Sequence, residues 1–230
     1  MRTIVSQPID AVLFDMDGTL LDSEVVTEKA IAKVLVDRGF SPAKVDFGVF
    51  HGITWPETAT VLERIFPALA SEPLADILPG EFQKMFVADF PPLIDGAREA
   101  VVAAGQHFAT AIVTSASRMS VEHVLDHLDL RSHCRLFVCA EDCSRSKPDP
   151  EGYLMAAEQL GVEPSRCLVF EDSLVGLQAA KSAGMTAVAI TCGANESMRA
   201  AQREIADETV PHFDGLPAGF FASLRERERR

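Results

Sequence analysis

Residues 11–20 read AVLFDMDGTL, four apolar residues followed directly by two aspartates spaced two apart. The apolar run does not alternate with polar residues, which is typical of a strand buried on both faces of a parallel sheet. Ligands bind beyond the carboxyl ends of such strands, and the spacing aims Asp15 and Asp17 to the same side. The pattern therefore predicts a carboxylate pair in which one group attacks and the other handles a proton. A polar turn with Gly18 at positive φ explains these residues equally well when they are taken alone.

Four further apolar runs follow along the chain, at residues 109–114, 136–139, 167–170 and 187–190. Helical patterns lie before or between them, at Ala97–Ala104, Ser120–Leu128, Pro150–Leu160 and Leu174–Ala183. Glycine just past a helix end is the usual C-terminal cap, and we expect it at Gly105, Gly161 and Gly184. Strands that alternate with helices predict an α/β fold, a doubly wound parallel sheet of the Rossmann-like kind.

The segment between the first two runs breaks this alternation. From Glu24 to Pro92 it shows helical spacing and no convincing strand, and one apolar stripe consists of Ala30, Ile31, Val34 and Leu35. Thr54 and Glu57 match a capping box that opens a further helix. We expect a helical cap domain at residues 23–94, inserted into a core domain made of residues 1–22 and 95–230.

Charge and composition exclude some classes of partner. The chain has 230 residues and a formal net charge of −13, so a basic surface for nucleic acid or for an anionic membrane is not expected. Its five cysteines include no CxxC pair, and no run approaches the ~20 apolar residues of a membrane span. We expect a cytoplasmic protein, a monomer or small homo-oligomer, without nucleic-acid or membrane partners.

Hydroxyl groups and a lysine follow two of the later runs. Thr114 to Ser117 supply small hydroxyls and backbone amides at a helix entrance, which suits phosphate oxygens, and Ser117 also suits a helix cap. Lys147 precedes Pro148, which disfavours helix at the lysine and keeps it in an extended segment. The position of Lys147 is therefore expected to be fixed.

Two adjacent acids, Glu171 and Asp172, follow residues 167–170. Like charges at a strand tip repel each other, and a hard divalent cation held by the carboxylate oxygens relieves that repulsion. A cap on the following helix, formed by Asp172 or Ser173, explains the pair equally well.

Four ordered motifs, FDMDGTLLDSE, TSAS, SKPDP and FEDSLVGLQAAKSAGM, together resemble the haloacid dehalogenase superfamily. The resemblance runs from Ile9 to about Ile190 and is closest to the branch of β-phosphoglucomutase and sugar-phosphate phosphatases. It implies that Asp15 is a nucleophile and that Asp17 is a general acid and base. The implied phosphate-binding residues are Ser115, Ala116 and Lys147, with Thr114 as a rival for the role of Ser115. The implied Mg²⁺ ligands are Asp15, Asp17 through its backbone carbonyl, Glu171 and Asp172.

The inserted segment is similar to the cap of this superfamily, whose loop before the second cap helix reaches the active site. The matching residues here are His51, Gly52 and Trp55, and Glu24 lies where the chain enters the cap. A hydrophobic staple at the helix start explains Trp55 equally well.

The resemblance implies a magnesium-dependent phosphatase that acts on a small phosphorylated metabolite, a sugar or polyol phosphate monoester, through an aspartyl phosphate. A phosphomutase of the β-phosphoglucomutase type shares the core motifs but carries a histidine and an arginine at the positions that match Thr27 and Trp55. A non-catalytic phosphate-binding module on the same fold would be expected to lose a motif acid or Lys147, and all of these are present. The prediction is therefore a phosphoric monoester hydrolase.

Overall fold

Parallel strands form one six-stranded sheet within residues 8–50 and 53–227, the part of the chain that the computed structural model describes. The strands are β1 (Ala11–Phe14), β2 (Ala109–Val113), β3 (Leu136–Val138), β4 (Cys167–Glu171), β5 (Thr186–Ile190) and β6 (Glu208–Val210). Their order is β3-β2-β1-β4-β5-β6, so the direction of winding reverses at β1. The crevice beyond β1 and β4 is the topological switch point where such sheets bind ligands. The predicted doubly wound α/β fold is confirmed.

Strand β1 is the buried centre of the sheet. It pairs with β2 on one side and β4 on the other, and Phe14 lies between Ile112 and Phe170 in register. The rings of Phe14 and Phe170 stack at 5.3 Å, a large buried apolar contact. The N–H of Asp15 donates to the Phe170 carbonyl at 3.0 Å. The strand ladder therefore extends one residue past β1 and fixes the backbone of Asp15.

Helices flank the strands or make up the inserted segment. They are α1 (Glu24–Asp37), α2 (Trp55–Ile65), α3 (Leu74–Ala88), α4 (Ala97–His107), α5 (Arg118–His127), α6 (Glu151–Leu160), α7 (Leu174–Ser182), α8 (Glu196–Ile205) and α9 (Phe220–Arg227). Gly161 and Gly184 have positive φ just past α6 and α7, as predicted. The predicted cap at Gly105 is wrong, because α4 continues to His107. A Cβ on Gly105 would lie 2.6 Å from the His133 carbonyl oxygen, so close backbone approach accounts for this glycine.

The chain divides into two compact units, residues 1–22 with 93–230 and residues 23–92. The return to the first unit comes two residues before the expected boundary at 94/95. Leu93 forms a β-bridge with Leu21, and the Ile94 N–H donates to the Leu20 carbonyl at 3.0 Å. These backbone bonds attach Leu93 and Ile94 to the sheet-bearing unit.

The second unit has its own apolar core. The four residues of the predicted stripe on α1 are buried. Leu62 of α2 and Leu78 of α3 belong to the same apolar cluster as the stripe residues Ile31, Val34 and Leu35. At the start of α2 the Glu57 carboxylate accepts the Thr54 N–H at 2.8 Å and the Thr54 hydroxyl at 2.7 Å. Glu57 thus satisfies a backbone donor at the helix start, which is its part in the predicted capping box.

The C-terminal part adds β6, α8 and α9, which the sequence analysis did not predict. The Arg225 guanidinium lies 3.5 Å from Asp10 and stacks over the Phe108 ring at 5.8 Å. Of Arg225–Arg230, the structure describes only the part up to residue 227. Among the described helices, none combines the length and the apolar character that crossing a membrane requires.

Candidate active site

The two motif aspartates lie at the carboxyl end of β1. Asp15 is 5% exposed and Asp17 is partly buried. Between them and the next helix, Gly18 has φ +81° and donates its N–H to the Leu21 carbonyl at 2.7 Å. A Cβ on Gly18 would lie 2.1 Å from a carboxylate oxygen of Asp172. Glycine is therefore required here both by the turn and by the close approach of Asp172.

Lys147 joins two of the motif acids. Its ammonium donates to Asp15 Oδ1 at 2.6 Å, to Glu171 Oε1 at 2.7 Å and to the Val113 carbonyl at 3.2 Å. The ammonium also lies 5.1 Å from the centre of the Tyr153 ring. Burial alone would lower the pKa of Lys147, but the charges of Asp15 and Glu171 raise it well above its ordinary value. Lys147 therefore places a positive charge in contact with Asp15.

Glu171 is held by donors on both carboxylate oxygens. Lys147 donates to Oε1, and Ser173 donates to Oε2 from its N–H at 2.7 Å and from its hydroxyl at 2.9 Å. Ser173 also accepts the Gly176 N–H at 3.0 Å, so the interpretation in which Ser173 caps α7 is confirmed. A Cβ on Gly176 would lie 1.7 Å from Glu171 Oε1. The start of α7 is thus shaped around the Glu171 carboxylate.

Three carboxylates form a cluster suited to a cation. Oxygens of Asp15, Glu171 and Asp172 lie within 4.8 Å of one another. Burial raises the pKa of Asp15 well above its ordinary value; the Lys147 charge opposes this shift and the Glu171 charge adds to it. Burial followed by the Glu171 charge likewise raises the pKa of Asp172. A hard divalent cation would stabilise the ionised carboxylates, and oxygen donors are the ligands that Mg²⁺ prefers, so the residues fit the metal.

The TSAS segment provides a second group of polar atoms. The Thr114 hydroxyl donates to Asp17 Oδ2 at 3.4 Å and accepts the Ala116 N–H at 3.0 Å. Ser115 is exposed, and with Thr114 and Lys147 it lines a cavity of about 150 Å³. Ser117 caps α5 by accepting the N–H of the third residue of that helix at 3.3 Å. Thr114 is thus engaged with Asp17, while Ser115 is an exposed residue of the cavity lining.

Two supporting residues were missed by the sequence analysis. Tyr153 is 1% exposed, and its hydroxyl lies 3.5 Å from Glu171 Oε1 beneath Lys147. Thr19 donates to Asp172 Oδ1 at 3.3 Å. Tyr153 is the only tyrosine in the chain and follows the SKPDP motif by three residues, which is the one signal that could have marked it.

The cap candidates are settled only in part by the structure. His51 and Gly52 lie outside the described residues. Glu24 is the first residue of α1, and the Trp55 ring lies 5.5 Å from the Phe82 ring within the second unit. Trp55 therefore packs against the apolar core of its own unit, and a role for these residues in substrate binding stays a prediction.

The chain is similar to known proteins over most of its length. A family model described as haloacid dehalogenase-like hydrolase matches residues 9–184. Fructose-1-phosphate phosphatase YqaB of Escherichia coli (strain K12) is 33% identical over 185 residues, 76% of this chain and 93% of that protein. Hexitol phosphatase B of the same strain is 30% identical over 197 residues, 78% of this chain and 82% of that protein. The crystal structure of a putative beta-phosphoglucomutase from Thermotoga maritima matches with a TM-score of 0.73 and 27% identity, over 95% of this chain and 99% of that one.

Proposed function

This chain belongs to the haloacid dehalogenase-like hydrolase family and is a phosphoric monoester hydrolase, and we propose that it releases phosphate from a sugar or polyol phosphate with Asp15 as nucleophile. The observation that carries this proposal is the contact of Asp15 with Lys147 at the end of the central strand. A carboxylate on rigid backbone, in contact with a buried cation, is placed to attack an electrophilic phosphorus.

The proposed reaction has two steps. Asp15 attacks phosphorus and forms an aspartyl phosphate while Asp17 gives a proton to the leaving alkoxide. Asp17 then takes a proton from the water that hydrolyses the aspartyl phosphate. The hydrogen bond from Thr114 holds the Asp17 carboxylate between these proton transfers. The Ser115 hydroxyl and the Ala116 amide, with Lys147, are proposed to bind the phosphoryl oxygens.

Asp15, Glu171 and Asp172, with the backbone carbonyl of Asp17, are the proposed ligands of Mg²⁺. The bound cation would neutralise charge on the phosphoryl oxygens and on Asp15. Glu171 contributes in a further way, because its contact with Lys147 keeps that ammonium beside the nucleophile. The protein's own work is thus mainly positioning and electrostatics.

Removal of divalent metal with EDTA is expected to abolish phosphate release, and added Mg²⁺ is expected to restore it. Ca²⁺ is expected to fail, because its larger and more variable coordination displaces the nucleophile. Release of inorganic phosphate from p-nitrophenyl phosphate and from a sugar phosphate measures both effects. Undiminished activity in metal-free buffer would overturn the metal assignment of Asp15, Glu171 and Asp172.

Asp17→Asn is expected to lower turnover of a sugar phosphate by about a hundredfold or more, because the alkoxide leaving group needs a proton. With p-nitrophenyl phosphate, whose leaving group needs none, the variant should still form some aspartyl phosphate. The expected time course is a burst of nitrophenol followed by slow release of inorganic phosphate. Equal activity of Asp17→Asn and the wild type on the sugar phosphate would contradict the acid and base role.

The substrate class rests on the relatives. The names of the two phosphatase relatives specify fructose 1-phosphate and a hexitol phosphate. We therefore propose a phosphate monoester of an open-chain or ring sugar or polyol as the substrate, with the sugar or polyol alkoxide as the leaving group. A panel of phosphorylated metabolites, scored by release of inorganic phosphate, tests this choice, and activity confined to other classes of ester would contradict it.

A phosphomutase activity is the second candidate, favoured by the likeness to the Thermotoga maritima structure. A mutase must protect its aspartyl phosphate from water and recognise a second phosphate by charge. Thr27 and Trp55 supply no positive charge where that family has a histidine and an arginine. Lys84, the nearest rival for a positive charge in the cap, is paired with Glu81 at 2.6 Å. Phosphate release without formation of glucose 6-phosphate from β-glucose 1-phosphate is therefore expected. An assay coupled to glucose-6-phosphate dehydrogenase measures formation of the isomer. Isomer formation that needs the bisphosphate as primer and is faster than phosphate release would favour the mutase.

A further inference from the structure

Gln202 is a wholly buried polar side chain on α8 that the proposed reaction does not use. Its Nε2 donates to the backbone carbonyl of Asp172 at 2.5 Å and to that of Ile190 at 3.3 Å. The ladder between β4 and β5 ends at the pair of Glu171 and Ala189. The Gln202 amide therefore links the backbones of β4 and β5 by hydrogen bonds, one residue beyond the last pair of the ladder.

The orientation of the Gln202 amide follows from its two acceptors. Rotating the amide by half a turn would place Oε1 against two carbonyl oxygens, which is repulsive. In the observed orientation, Oε1 is buried and has no hydrogen-bond partner in the part of the chain that the structure describes. An unsatisfied buried acceptor costs about 1–3 kcal/mol. An apolar side chain of the same length would avoid that cost, so packing alone does not account for an amide here.

The helix that carries Gln202 is capped at its start and packed on the core at its end. The Asn195 side chain accepts the Met198 N–H at 2.9 Å at the start of α8, and Ile205 at its end packs on the apolar core of the sheet. Gln202 thus projects from a fixed backbone. A side chain on a fixed helix can hold a loop in place, whereas one on a mobile segment cannot.

Asp172 is consequently held from two directions. Thr19 donates to its carboxylate and Gln202 donates to its backbone carbonyl. Its carboxylate is one of the three that lie within 4.8 Å of one another. Hydrogen bonds that orient a metal ligand from outside the coordination shell contribute to metal affinity.

We propose that Gln202 is a positioning residue for the metal site, which holds the main chain of Asp172 so that its carboxylate faces Asp15. The inference rests on the proposed function only in its assumption that these carboxylates bind Mg²⁺. Gln202 touches no reacting atom. Its loss is therefore expected to weaken metal binding more than it slows the reaction of the metal-loaded protein.

Gln202→Met tests the proposal, because methionine keeps the length of the side chain and removes the donor. The dissociation constant of Mg²⁺, measured by isothermal titration calorimetry without substrate, is expected to rise about tenfold. The Mg²⁺ concentration for half-maximal turnover should rise by the same factor, while turnover at saturating Mg²⁺ recovers. Gln202→Leu removes the donor in a second way should methionine disturb folding.

Val162→Ala is the matched control, because it shortens a side chain packed on the same apolar core without loosening α8 or touching Asp172. It is expected to lower the Tm and to leave the Mg²⁺ dissociation constant unchanged. Wild-type Mg²⁺ affinity in the folded Gln202 variants, or an equal loss of affinity in Val162→Ala, would overturn the positioning role alone. A wild-type protein that binds no Mg²⁺ would overturn the metal part of the proposed function and this inference with it.

Discussion

Asp15→Asn is expected to reduce phosphate release by roughly a thousandfold or more, the loss typical of removing a nucleophile. Asparagine keeps the shape of the side chain and an oxygen that can accept the Lys147 hydrogen bond seen at 2.6 Å. It removes the negative charge that attacks phosphorus. The fold should persist, because the amide also removes a buried carboxyl whose pKa burial raises. Steady-state release of inorganic phosphate, with circular dichroism and Tm as checks on folding, measures the effect.

Asp10→Asn is the matched control for this prediction. Asp10 lies next to the opposite end of β1 and pairs with Arg166 on the half-exposed surface. A pair of this kind contributes about 1 kcal/mol or less to stability, so turnover should not change. Retained activity in a folded Asp15→Asn protein would remove Asp15 from the nucleophile role. Equal losses in the two variants would trace the effect to β1 itself rather than to the carboxylate.

The sequence located the centre of the site because the chemistry lies at strand ends. Asp15 directly follows β1, Glu171 is the last residue of β4, and Lys147 lies in the segment after β3. Parallel strands bring their carboxyl ends to one edge of a sheet. The structure places these residues in direct contact. Local pattern thus sufficed to place the motif residues, even though Asp15 and Lys147 are far apart in sequence.

The residues that support the site were not predictable in this way. Gln202 has a polar side chain in a strongly polar helix, and its burial is explained by its hydrogen bonds to the backbone carbonyls of Asp172 and Ile190. Gly105 resembles a helix cap in sequence, but its role depends on the approach of His133, another part of the chain. Such contacts are tertiary, and neither periodicity nor residue type records them.

The edge of the sheet and the cap were hard to read for a different reason. Strand β6 reads Glu-Thr-Val, so it lacks the apolar run that marked the other five strands, including the equally short edge strand β3. Trp55 carries an apolar ring that suits a core or a ligand equally well, and its contact with Phe82 is compatible with both. Specificity residues of the cap therefore stay predictions.

Lys147→Met is expected to reduce turnover by about a thousandfold, the upper range for loss of one group that stabilises charge in the transition state. It is also expected to destabilise the fold. The Lys147 ammonium lies between Asp15 and Glu171, whose side chains are 8% and 1% exposed. Removing one partner of a buried ion pair costs about 3–5 kcal/mol, because the remaining charges are buried without compensation.

Lys181→Met is the control for this variant. Lys181 makes a comparable pair with Asp207 at 2.6 Å, but both side chains are more than a third exposed. Loss of an exposed pair costs about 1 kcal/mol or less, and turnover should be unchanged. A similar loss of stability in both variants would show that burial does not account for the contribution of the Lys147 ion pairs to the free energy of unfolding.

The pH dependence of unfolding in EDTA separates the charge of Lys147 from its packing against Tyr153. The Lys147 charge lowers the pKa of Asp15 against the effect of burial, so in Lys147→Met that pKa should rise further above its ordinary value. A carboxyl with a raised folded-state pKa binds its proton more tightly when folded, and stability then rises as pH falls from the folded value toward the unfolded value of about 3.9. The deficit in free energy of unfolding relative to the wild type should therefore be largest at neutral pH and shrink on acidification. A deficit that stays constant with pH would mean that Lys147 stabilises the fold by covering the Tyr153 ring and not by its charge.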